Sequence, residues 1–503
     1  MATTTNHYDL IVLGSDIAGL VAAALVARRG KRVLVIPQGP ADGTYKIAGR
    51  TLPLRTAPVV HMGTAPTARV WTELGLAQQV RRLYAPLEHR VHMVLPDARV
   101  DLTPSSANVG EEAARVWPND EDVPAAWDMA QRWSAATDEV LDPLLASDNA
   151  LVGGGFWSRR FLARVEGQLP AGTVDEMHPL PEDHDLRRVA SAAVPWLQHL
   201  HPTQLGKAAS LRLAGLWHRG PDDMPGGEAA LRTLLLQRIE LHSGEVKRDL
   251  RVAELLLKRS RVVGVSLLGK RDNYGCDHLI VATDPLRLLE GPLLPELLPR
   301  ALQETLQTVH VAAQRFVMHV EIGVRGLSPA LEPLAICLPE GSAADPVGNT
   351  YIRVLPGTAE DSRRVSICHV VPPQASTAGL RERLLAALDA RGVLPFCQEH
   401  VRWVHSPHDG RPLTDGHGHD ISDRAAPGTT HPMAPLYAVS KPPSLGVGVL
   451  STESGLKSMH FACRLTLPGL GLEGEFAAGA AAAAAVVGPA RSPFSRSPLL
   501  SRA

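Results

Sequence analysis

Hydrophobic positions gather first in Tyr8–Leu13 (YDLIVL), a short apolar run that reads as a strand. Gly14–Gly19 (GSDIAG) breaks it with a turn. Leu20–Arg29 then carries small and apolar residues at helical spacing, and Arg32–Ile36 is a second β-rich run. Strand, glycine turn, helix and strand within about 30 residues is the opening of a βαβ unit that closes over a dinucleotide.

In such a turn the first glycine permits the bend, the second lets the backbone approach a pyrophosphate, and the third lets helix and strand pack closely. Gly14 and Gly19 fill the first and third places, whereas Asp16 stands in the second. A carboxylate there repels a pyrophosphate at close range. The acid expected at the end of the second strand, to bind a ribose hydroxyl, falls at Pro37, which has no side-chain acceptor.

After Pro37 the pattern becomes turn-rich, with a strand predicted around Arg50–Leu54 and an amphipathic helix over Thr67–Leu76 that ends at Gly75. From Arg81 to about Trp217 the periodicity is mostly helical, with breaks near Pro118, Pro170 and Pro179–Pro181, and predicts a helical insertion. That block together with Trp71 holds seven of the eight tryptophans, which read as core residues rather than an aromatic cage. Met224–Leu289 returns to mixed periodicity: a glycine turn, a helix and a strand, then a hairpin in RVAELLLKRSRVVGVSLL, then a buried strand in CDHLIVATDP. Gln314–Glu321, Asn349–Leu355 and Arg364–Val371 alternate as strands of a second sheet. Thr377–Arg391 reads as an amphipathic helix and Glu399–Pro435 as a polar, His-rich loop. The run Ala480–Ala485 suits a helix with very close neighbours.

A chain of 503 residues exceeds one ordinary core and predicts two or three domains. Lys plus Arg number 51 against 52 for Asp plus Glu, so no overall field favours nucleic acid, which is excluded as an expected partner. The five cysteines are scattered and form no CxxC, which fits unpaired thiols in a reducing compartment. The start, MATTTNHYD, lacks a signal-peptide pattern, and the apolar runs fall short of the roughly 20 residues a membrane span needs, so the expected address is the cytoplasm.

Several of these segments together carry a resemblance. VLGSDIAGL, the glycine-pair turn and helix after Met224, HSGEV, SRVVGVSL, LIVATDP and, at Thr466–Ala480, TLPGLGLEGEFAAGA resemble the FAD-dependent phytoene desaturase and carotenoid isomerase group of the amine-oxidase-like flavoproteins. The resemblance implies an α/β fold: a Rossmann-like FAD/NAD(P)-binding domain whose parallel sheet is discontinuous in sequence (1–75, 218–300 and 436–490), with an inserted α+β substrate domain (76–217 and 301–435). Residues 491–503, a Ser/Pro/Arg tail, are expected to be disordered. FAD is the implied cofactor. Its implied contacts are Gly14, Ser15, Asp16 and Gly19 in the turn, Gly43, Val246, Arg464, and Pro468, Gly469, Gly471 and Gly474 of the closing motif, which in the family lies against the flavin and ribityl chain. The implied reaction is flavin hydride or electron chemistry on a hydrophobic small molecule, so no catalytic side chain is assigned.

This sequence departs from the family pattern at separate cofactor contacts. Besides Asp16 and Pro37, ADGTYKI replaces a Gly-Gly-Arg segment, so Gly43 has no arginine after it, and Cys463 and Arg464 stand where the family often has Gly-Asp. Each lost charge-assisted hydrogen bond is worth about 1.5–3 kcal/mol. Arg464 is the candidate rescue, by pairing with Asp16 or with a phosphate oxygen.

Other chemistry has less support. His400, His405, His408, His417, His419 and His431 match no closed zinc spacing and read as a solvated loop, so no metal is expected. No Gly-x-Ser-x-Gly elbow or Walker loop occurs, which leaves hydrolase and kinase readings without an anchor. With six tyrosines and none between Tyr437 and the closing motif, an amine-binding aromatic cage is unsupported, and the desaturase or isomerase branch is the better match. Two readings stand: an FAD-dependent oxidoreductase, and a cofactor-free descendant that serves as a binding or scaffolding module. Two further candidate contacts are a membrane surface at an apolar cavity and a protein partner at the Arg-rich tail.

Overall fold

The computed structural model describes residues 6–488 apart from 61, 87–90, 104–105, 148–150, 153–155, 170–179, 182–183, 219–221, 270–272, 287–297, 342–344 and 422–429. The tail 491–503 therefore lies outside the described residues.

The apolar run at the start of the chain is the central strand of a seven-stranded sheet. Asn6–Gly14 is flanked in parallel by Val33–Ile36 on one side and Asn273–Ala282 on the other, with Val12 in register with both Val35 and Ile280. Glu245–Val246 extends the sheet beyond Val33–Ile36, and Met459–Phe461 pairs in parallel with Asn273–Ala282. The predicted hairpin, Val252–Lys258 with Arg261–Leu267, forms the antiparallel far edge. Strands buried on both faces need no polar alternation, which is why these segments read as continuous apolar runs.

The helix Ile17–Arg28 is buried on every side from Ile17 to Ala27, so it is apolar all round. The C-terminal helix Gly471–Val487 packs on it, with Ala477, Ala478, Ala480, Ala482 and Ala483 buried, and Phe476 meets Trp71 edge-on at 5.0 Å between ring centroids. Its extension Pro468–Val487 is long and apolar enough to cross a membrane, but 72% of its apolar window is buried inside the protein, as in a core helix.

The second sheet has eight strands. Its long strand Val309–Gly323 pairs with Ser362–Val371, Val401–His405 and Ala434–Val439, and the sheet continues through Thr350–Pro356 and Leu334–Cys337. It ends in the hairpin Val91–Val94 with Arg99–Leu102, two strands within the block after Arg81 that was expected to be mostly helical. Those strands are only four residues long each, too short for alternation to stand out between helices. The His-rich segment also differs from a solvated loop: His405 and His408 are buried against the second sheet, and only His417 and His419 stand in a turn at the surface. Among the described residues no group of three or more His, Cys, Asp or Glu is placed to hold a metal ion. All five cysteines are free and buried.

Candidate functional site

The site forms where the glycine turn meets the carboxyl ends of the central parallel strands, the place at which open α/β sheets bind ligands. Gly14 ends its strand beside Ala282, and at φ +110° a Cβ would stand 2.2 Å from the Ala282 carbonyl oxygen. A Cβ on Gly19 would stand 2.0 Å from Ala282 Cβ. Strand and helix packing alone therefore demands both glycines, whatever lies over the turn.

The middle position obeys a different constraint. The Asp16 N–H donates to the Ala282 carbonyl at 2.8 Å, and its carboxylate faces Arg464, with Nη2 at 3.3 Å and the Arg464 backbone N–H donating at 3.4 Å. The residue with the wrong sign for a pyrophosphate is thus neutralised from within the protein. Burial works against the Arg464 charge, but Asp16, Glu475 and Glu228 outweigh it and hold the guanidinium above its ordinary pKa.

A second arginine reaches the turn and Gly43. Arg232, on the helix Gly227–Leu241, donates to the Ser15 carbonyl and pairs with Glu228 at 2.7 Å. Gly43 makes room for it, since a Cβ there would stand 2.9 Å from Arg232 Cδ. Glu228 also faces Arg55 at 3.4 Å and Arg464 at 3.8 Å. Burial favours its neutral form, yet the three guanidiniums prevail and hold this carboxylate well below the usual range.

Deeper in, Glu475 lies 3.1 Å from His199 Nε2 and 3.8 Å from Arg464 Nε. Burial, with Glu228 adding to it, raises the Glu475 pKa, while burial and then Arg55, Arg464 and Arg315 push His199 well down. Burial thus acts against charge on both members of the pair.

A cleft of about 650 Å³ runs from Gln38 past Ser15, Asp16 and Gly43 to Arg464 and Tyr437, whose hydroxyl donates to Asp284 at 2.9 Å. Its walls carry five arginines against four carboxylates, so they leave room for an anion. A smaller chamber of about 50 Å³ shares Arg55 and Glu228 with the cleft and continues it inward to His199, Arg315 and Glu475.

Of the expected contact residues, Ser15, Asp16, Gly43 and Arg464 line the cleft, whereas Gly14 and Gly19 do not line it and pack against Ala282. Val246 is not on it, because it pairs with Val35 at the sheet edge. The closing motif packs against the chain: a Cβ on Gly471 would stand 1.9 Å from the Leu197 carbonyl, and the His199 N–H donates to the Pro468 carbonyl at 2.8 Å. The sequence reading missed Arg55, His199, Glu228, Arg232 and Glu475. One signal was present: Glu473 and Glu475 interrupt an Ala/Gly-rich helix, and charges in an all-round apolar helix are buried with partners.

The adenosine diphosphate part of FAD fits this cleft. It opens at the strand ends, begins on a turn that leads into a buried helix, and carries cations of its own that cancel Asp16.

No family model and no curated protein matches the chain. Solved structures do. A double mutant of putrescine oxidase, from a redesign of cofactor binding, is similar with a TM-score of 0.56 at 16% identity, covering 96% of this chain and 99% of that one. Cyclohexylamine oxidase from Brevibacterium oxydans is similar with a TM-score of 0.55 at 15% identity, covering 95% and 98% of the two chains. An oxidoreductase from Methanosarcina mazei is similar with a TM-score of 0.55 at 13% identity, covering 95% and 99%. Over nearly its whole length, this chain shares the fold of putrescine oxidase and cyclohexylamine oxidase.

Proposed function

We propose that the protein is an FAD-dependent oxidoreductase acting on a small molecule that carries an apolar part, in the manner of a desaturase or isomerase. The observation that carries this reading is the Asp16–Arg464 pair, because it leaves the one position hostile to a pyrophosphate electrically neutral at the mouth of a cation-rich cleft. Bound FAD would supply a two-electron acceptor.

This chain's own residues supply the rest. Ser15, Arg232 and Arg464 would hold the diphosphate, and Gln38 and Arg251 stand at the end of the cleft next to the second strand. His199 Nε2 and Glu475 Oε1, 3.1 Å apart, are placed to share a proton, with burial disfavouring charge on both. The visible spectrum of the purified chain tests the reading: flavin bands at about one per chain support it, and a colourless protein that takes up no added FAD overturns it.

A second reading, a cofactor-free binding module, is favoured by one observation. Leu197–His199 covers the closing motif, so the surface that faces the ribityl chain in the family faces protein here. The same spectrum separates the two.

A further inference from the structure

The chamber at the inner end of the cleft is lined by Arg55, Arg315, Glu228 and Glu475, and together with Arg232, Arg464 and Asp16 of the adjoining cleft these groups carry more positive charge than their carboxylates balance. Arg55, Arg232, Arg315 and Arg464 bring four guanidiniums, against the carboxylates of Asp16, Glu228 and Glu475. Three of the arginines share these acids. Arg315 does not: it is 6% exposed and donates to the backbone carbonyls of Pro195, Gln198 and Pro435, with no ion pair among the described residues. Charge taken out of water without a counter-charge is costly. Burial brings Arg315 down to about 10, and the rise of Glu475 toward its neutral acid enlarges the excess.

A second observation points to the same place. Arg55 Nη2 is buried without a hydrogen-bond partner, and the adjacent Thr56 hydroxyl has nothing better beside it than the weakly bonding Cys368 thiol. Both residues line the chamber. Opposite these donors the wall is apolar: Val317, Leu472 and the Trp196 ring, which is fixed by stacking on Tyr351 at 4.9 Å between centroids.

We propose that the chamber binds a compact carboxylate with a short apolar body, the carboxyl group taken by Arg55 and Thr56 and the body lying against Trp196, Val317 and Leu472. The anion supplies the missing negative charge, and a volume of about 50 Å³ limits the body to a few carbons. That such an acid is the substrate rests on the oxidoreductase reading above; that it binds does not.

Titration calorimetry on the purified full chain, with flavin content read from its spectrum, compares propionate with its neutral isostere propionamide. Propionate is expected to bind at least about tenfold more tightly, a difference of about 1.4 kcal/mol. Arg55→Gln and Thr56→Val are each expected to remove most of that preference, and Thr56→Val, which keeps the shape, decides the matter should Arg55→Gln not fold. Equal affinity for the two compounds, or a preference undiminished in Thr56→Val, overturns the proposal. A colourless protein that still prefers propionate upholds the site and removes the oxidoreductase reading. A flavin-loaded protein indifferent to propionate overturns the site alone.

Discussion

The guanidinium of Arg464 stands 3.3 Å from the carboxylate of Asp16 across 448 positions of sequence, joining the turn after the first strand to the segment before the last helix. Both residues depart from the pattern of the flavoproteins the sequence resembles, and each faces the other. The pair also connects to Glu228 and Glu475, so one cation ties together three elements that bound the cleft.

Removing the cation strands charge in a mostly buried place. Arg464→Met is expected to cost about 2–4 kcal/mol, toward the lower part of the range for a broken buried pair because the Arg464 side chain keeps 22% of its exposure. Asp16→Asn in the same chain is expected to restore a large part of the loss. Urea unfolding of the four variants in a double-mutant cycle measures the coupling, and additive effects would show that the pair contributes nothing.

Asp16→Gly tests the cofactor side of the same contact. It removes the only carboxylate on the glycine turn and leaves Arg464 able to face a phosphate oxygen. FAD affinity, followed by flavin fluorescence quenching, is expected to rise by about tenfold or more, about 1.4 kcal/mol. Unchanged affinity would place the diphosphate away from this turn.

The two retained glycines are predicted to fail differently. Gly19→Ala puts a methyl group 2.0 Å from the Ala282 side chain, so Ala282→Gly in the same chain is expected to recover most of the lost melting temperature. Gly14→Ala meets the Ala282 carbonyl and needs φ +110°, so the same second change is expected to do little for it. Thermal melts of the four proteins check this, and equal rescue of both would refute the packing account.

What the sequence could and could not show follows from the same geometry. The parallel sheet was legible because its strands are buried on both faces and leave unbroken apolar runs, as in Leu10–Leu13 and Leu279–Ala282. Gly14 and Gly19 were legible because a local backbone turn demands them. The site's charges were not: Arg55, Arg232 and Glu228 sit in segments of ordinary composition, and only the fold brings them together. The hairpin Val91–Val94 with Arg99–Leu102 was hidden for another reason, since strands of four residues are too short to show alternation.

The buried histidines make stability fall with acid. His319 Nε2 donates to the Pro53 carbonyl while its Nδ1 bonds the Ser366 hydroxyl, His405 Nδ1 bonds the Tyr45 hydroxyl, and His408 Nδ1 donates to the His431 carbonyl, all within the packed region against the second sheet. Burial brings His319 and His405 down to about 3 and His408 to about 4. Their ordinary value is 6.5, so between that pH and 4 the unfolded chain binds protons that the folded chain refuses. Their contribution is therefore complete above pH 6.5 and is lost progressively as pH falls toward 4, at about 1.4 kcal/mol per pH unit for each histidine. His405→Gln is expected to flatten the slope of unfolding free energy between pH 6 and pH 4.5 by about one proton. Denaturant unfolding at several pH values in that window measures it, and a slope identical to that of the unaltered chain would show that His405 protonates as readily folded as unfolded.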